Sequence, residues 1–246
     1  MIGTVWHHLQ QAWHHLMQTQ PAPPRSVVLL TAAAALLAVM IRQVWRPLRR
    51  AVTIAHEAGH ALTAVLCGRR LQSITLHSDT SGLTLTRGRA TGPGVVLTLL
   101  AGYPAPAVLG AAGAALLAWR HVTMFLWVGI ALLAAVLLLI RNAYGVLSVL
   151  LVAAVLVATA GYAPARVQAV VAYFAVWLML FGAVRPIFEL GRARRRGRVA
   201  HSDVDQLAAA TRVPAVVWLG VMLVLSVGAL GLSLLTLGLL RAPAHL

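Results

Sequence analysis

Ala55-His56-Glu57-Ala58-Gly59-His60-Ala61 decides how the rest of the chain is read. His56 to His60 has the HExxH spacing of a zinc site. On a helix, positions i and i+4 lie one turn apart on one face, so both imidazoles can reach a single ion. Glu57 is then placed as general base towards a water at that ion. A histidine on an apolar helix is usually just a packed side chain. Two histidines and a carboxylate on adjoining faces of an apolar segment, however, are costly unless paired or metal-bound. The pair still leaves a site unfinished, since hydrolytic zinc takes three protein ligands and keeps a fourth position open.

The surroundings of the motif are those of a membrane protein. Hydrophobic residues make up 60% of the 246, charged residues 10%, and mean hydropathy is +0.85. Soluble domains average about 25% charged. The net charge of +15 comes from arginine alone, as the sequence has no lysine. These arginines sit in short clusters between apolar runs, as in loops held at a membrane surface. No soluble basic module is visible, so nucleic acid is not an expected partner and the lipid bilayer is. Cys67 is the single cysteine, so no internal disulfide can form.

The predicted fold class is an α-helical polytopic membrane protein with about six to seven membrane segments and a small β-hairpin after the HExxH helix. Residues 1–24 form an N-terminal interfacial amphipathic segment, and 25–241 a single membrane-embedded domain. In the first, Trp6-His7-His8-Leu9 recurs as Trp13-His14-His15-Leu16, giving one apolar stripe edged by tryptophan. Its histidine pairs lie about two turns apart, too far to share an ion. The first span runs over 27–44, and Arg42, Arg46, Arg49 and Arg50 close it. The HExxH helix covers 51–67. Residues 71–87 alternate with period two around Asp79-Thr80-Ser81-Gly82, a hairpin signal. Five further apolar stretches follow, at about 94–118, 122–140, 144–161, 167–188 and 214–240. Polar residues do not recur across these spans, which argues against a metal transporter.

Only five acidic residues are available to complete the metal site. Glu57 lies in the motif. Asp79 belongs to the hairpin turn, where Asp bonds its own backbone. Glu189 follows Arg185 by four and precedes Arg192 by three, the spacing of a helical ion pair. Asp203 and Asp205 remain, in a Ser-Asp loop over 199–212. Ser202 with Asp205 three residues later resembles a capping box. Capping accounts for Asp205 better than for Asp203, so Asp203 is the expected third ligand. Asp205, His77, His201 and Asn142 stay as alternatives.

These residues resemble the site-2 protease family of intramembrane zinc metallopeptidases, in particular its compact bacterial and fungal branch. The resemblance spans roughly residues 45–240. It rests on Ala55–Ala61, the hairpin-like segment, Leu99-Leu100-Ala101-Gly102-Tyr103, Arg141-Asn142 and Ser202-Asp203. The better-known members take their third ligand from a Leu-Asp-Gly motif, which this sequence lacks. The resemblance implies zinc on His56 and His60, and Glu57 as the catalytic base. It also implies a membrane-anchored protein substrate, cut in or near its transmembrane segment. The expected location is a bacterial plasma membrane, with the active site on the cytoplasmic side, where the arginines of 192–198 should lie. The alternative function is a catalytically silent membrane scaffold, against which the presence of Glu57 argues.

Overall fold

A backbone in lipid must satisfy its own N–H and C=O groups, so long apolar sequence folds as helix. The computed structural model describes residues 6, 7, 10, 13, 14, 16–197 and 202–239. Among these, nine helices and one hairpin follow in the order α1 (Arg25–Met40), α2 (Arg42–Leu66), β1 (Arg70–Leu76), β2 (Gly82–Arg87), α3 (Pro93–Ala101), α4 (Ala105–Ala118), α5 (Val122–Leu139), α6 (Ala143–Tyr162), α7 (Ala165–Arg195), α8 (Asp203–Thr211) and α9 (Ala215–Thr236). Four helices, α5, α6, α7 and α9, are long and apolar enough to cross a membrane. Counting each bent pair, α1–α2 and α3–α4, as one span raises the number to six. In the N-terminal repeat, His8, Leu9 and His15 lie outside the described residues, as do His201 and Arg198. Trp6 and Trp13 are exposed.

The motif helix differs from its expected bounds. The break falls at Ile41, in extended conformation, where the chain turns by 103°. The four arginines at 42–50 are therefore not the end of a first span over 27–44; they form the first half of a continuous helix from Arg42 to Leu66. Tertiary partners explain the difference. Arg49 pairs with Glu189 of α7 at 2.7 Å, and the Arg50 guanidinium lies 5.4 Å from the centre of the Tyr144 ring. The apolar stretch 94–118 is likewise two helices, bent by 67° around Gly102-Tyr103-Pro104. Proline at 104 supplies no amide to continue the first helix.

The core is built around α7, half of whose apolar window is buried, against 11% for α9. Trp177 and Phe181 of α7 stack there, and Ala35 of α1, Ala114 of α4 and Leu126 of α5 pack against the same cluster. In lipid this packing works through close van der Waals fit more than through water exclusion. A second cluster joins Ile54 and Ala61 of α2 to Ile74 and Leu76 of β1 and to α5 and α6, and so fixes the hairpin on the motif helix. β1 pairs antiparallel with β2, Ile74 opposite Thr84 and Leu76 opposite Gly82. The other edge of β1 is also covered. The Arg141 amide donates to the Ile74 carbonyl at 3.0 Å. The Asn142 side chain donates to the Leu76 carbonyl at 2.6 Å and accepts its amide at 3.2 Å.

Candidate metal centre

His56 and His60 share one face of α2, as i, i+4 spacing requires. Their Nε2 atoms lie 3.1 Å apart, with the ring planes at 84°. The His60 Nδ1–H donates to the Thr98 carbonyl of α3 at 2.7 Å, leaving the Nε2 lone pair turned to the site. The α3–α4 break presses directly on these rings. At Gly102 a Cβ would lie 2.3 Å from His60 Nε2 and 2.7 Å from His56 Cε1, so only glycine admits this approach. Tyr103 then meets the His56 ring edge-on, its centroid 4.7 Å away.

The third group comes from α8. Val204 and Leu207, fully buried against Ile187, Leu190 and Met222, anchor this short helix. Residues two apart on a helix point about 200° apart around its axis, so Asp203 and Asp205 cannot both face the histidines. The structure turns Asp203 to them: its Oδ2 lies 3.2 Å from His56 Nε2 and 3.3 Å from His60 Nε2. Asp205 turns back to accept the Ser202 amide at 3.0 Å and the Arg194 guanidinium. Residues 203–211 of the expected Ser-Asp loop are thus helical, with Ser202 as N-cap and Asp205 completing its capping box. His77 bonds Ser81 in the hairpin turn, and Asn142 is occupied by β1. Asp79 accepts the Ser81 hydroxyl and amide, which hold its carboxyl below the ordinary value of 3.8. Glu189 pairs with Arg185 at 2.7 Å, as its spacing suggests, and with Arg49 as well.

Among the described residues, His56, His60 and Asp203 are the one group of three or more His, Cys, Asp or Glu able to share an ion. Tetrahedral zinc with ligand bonds near 2.0–2.1 Å separates its ligand atoms by about 3.3 Å. The observed separations of 3.1, 3.2 and 3.3 Å fit that geometry.

Glu57 lies beside this group, 3% exposed, with Oε1 4.0 Å from His56 Nε2. Its other oxygen accepts the Thr84 hydroxyl of β2 at 2.6 Å. A Cβ at Gly82 would fall 2.4 Å from Oε1, so the hairpin closes over the carboxylate as tightly as a backbone can. All these groups open on a cavity of about 720 Å³, which residues 82–86 of β2 wall on one side. The sequence alone gives no site role to Gly82, Thr84, Thr98 or Tyr103, although Gly82 is legible as a turn residue and Tyr103 as part of the segment that carries the resemblance. Only the Gly-Tyr-Pro interruption of an apolar run gave a local hint of the last.

A family model described as Peptidase M50B-like matches residues 29–233. The chain belongs to that family, the site-2 protease family, and is an integral membrane protein. No curated protein and no solved structure gives a match.

Proposed function

We propose that the chain is an intramembrane zinc metalloprotease, hydrolysing a peptide bond in or near a transmembrane segment of a membrane-anchored protein. The observation that carries this reading is the convergence of His56, His60 and Asp203 on one point with a buried carboxylate beside it. His56, His60 and Asp203 would hold the ion. When bound, zinc polarises the scissile carbonyl and acidifies a water. Glu57 takes the water's proton at Oε1, the oxygen that Thr84 leaves free, and returns it to the departing amide nitrogen. Burial of Glu57 strengthens its charge interactions.

A transmembrane helix offers no accessible carbonyl, because its backbone is hydrogen-bonded internally, so the substrate must unwind locally. β1 is covered on both edges, whereas β2 is paired on one edge only and its residues 82–86 line the cavity. An extended substrate can add to β2 as a further strand, with main-chain bonds holding it across the site. In this reading the α7 end that carries Arg192, Arg194, Arg195 and Arg196 faces the cytoplasm of a bacterial plasma membrane, a placement that the positive-inside bias supports.

The test is Glu57→Gln in purified, detergent-solubilised protein, with zinc content and cleavage of candidate membrane substrates followed together. The expected outcome is unchanged zinc and cleavage lowered at least about 100-fold, the scale of general-base removal. Cleavage equal to the parent would remove Glu57 as the base.

A further inference from the structure

A buried carboxylate can rotate and present either oxygen unless something distinguishes them. In Glu57 the distinction comes from the hairpin, not from α2. The Thr84 hydroxyl has one proton and two oxygens in range, Glu57 Oε2 at 2.6 Å and the Glu57 carbonyl at 3.2 Å. It goes to the nearer, charged acceptor. Gly82, two residues earlier on the same strand, limits the space beside Oε1. One turn before Glu57 on α2, the Thr53 hydroxyl donates to the Thr80 carbonyl at 3.0 Å. The turn and the strand are therefore fixed to one face of the motif helix at two successive levels.

We propose that Thr84 is a positioning residue for the reaction. Its hydroxyl occupies Oε2 of Glu57 and leaves Oε1 directed to the metal centre, so β2 sets where the base points. The same strand walls the cavity over residues 82–86. A polypeptide seated along β2 therefore lies against the residue that orients the base, and binding and alignment become one event. This inference rests on the protease reading above. It differs from it in assigning part of the base's geometry to the hairpin.

The test compares Thr84→Val, Thr84→Ser and Glu57→Gln in the full-length, zinc-loaded protein. The probe is an internally quenched peptide with a single apolar span of about 20 residues. Thr84→Val should lower kcat about tenfold or more, the effect of losing one hydrogen bond to a charged group, while KM stays within about twofold. Zinc content should be unchanged. Thr84→Ser, which keeps the hydroxyl, should recover most of the lost kcat, a result that a merely space-filling threonine would not give. In the metal-free protein Thr84→Val should lower the melting temperature by about a few degrees and Thr84→Ser should not. Should Thr84→Val fail to fold, Thr84→Ala takes its place in every comparison. Parent kcat in Thr84→Val beside an inactive Glu57→Gln would overturn the inference and leave the protease reading standing. So would a Thr84→Ser variant as impaired as Thr84→Val. Parent cleavage in Glu57→Gln would remove Glu57 as the base, and with it both the mechanism assigned above and this inference.

Discussion

Several buried hydroxyls in the spans and the polar side chains that build the site find their partners by different means. In the spans, Thr31, Ser148, Thr159 and Ser233 each donate to the carbonyl four residues earlier, at 2.7–2.8 Å. Around the motif, polar side chains reach other elements: His60 to α3, Asp203 of α8 to both histidines, Thr84 of β2 to Glu57, and Asn142 to β1. A bond within one helical turn hides a hydroxyl from lipid and positions nothing else. A bond between elements fixes where those elements sit. At membrane depth, where an unpaired polar group costs several kcal/mol, such cross-links also define what is folded. The site is therefore the region where polar chemistry and tertiary structure are the same thing.

Substitutions in the two regions should separate accordingly. The largest effect is expected at His60, which joins α2 to α3 and would supply a ligand atom in the proposed site. His60→Ala should weaken zinc binding beyond the roughly 10- to 100-fold that loss of an outer hydrogen-bond partner costs a metal site. Titration against a competing chelator measures it. Asn142→Ala is next. It removes both side-chain bonds to the Leu76 backbone on the outer edge of β1 and should destabilise the protein by about 1–3 kcal/mol, read from unfolding in detergent. Smallest is Ser148→Ala, buried but bonded only within its own helix, which should stay within about 0.5 kcal/mol of the parent. A Ser148 effect as large as that of Asn142 would break the distinction between the two regions.

The same distinction explains what could be read in the sequence. The HExxH pair is legible because helical spacing alone brings His56 and His60 together. The hairpin is legible because alternation and the Asp79–Ser81 turn are local. The arginines at 42–50 misled, since a cluster of charge reads as a loop until Arg49 finds Glu189 and Arg50 finds Tyr144. Asp203 and Asp205 look alike in sequence, and the choice between them depends on how Val204 and Leu207 seat α8 in the core. Gly82 reads as a turn residue and Thr84 as a strand residue, and both fit those roles. Their approach to Glu57 exists only once β2 lies on α2. Thr98 contributes through its carbonyl, which no side-chain pattern reveals.

On the proposed reading His56, His60 and Asp203 hold one ion, whereas Asp205 caps α8 and pairs with Arg194. Zinc stoichiometry and affinity of Asp203→Ala and Asp205→Ala, measured side by side on the purified protein, test it most directly. The account predicts one zinc per chain at parent affinity in Asp205→Ala, with about 1 kcal/mol of stability lost from the cap. In Asp203→Ala it predicts binding weakened by more than about 100-fold, beyond the cost of losing an outer partner. Parent affinity in Asp203→Ala, or loss of zinc from Asp205→Ala instead, would contradict it.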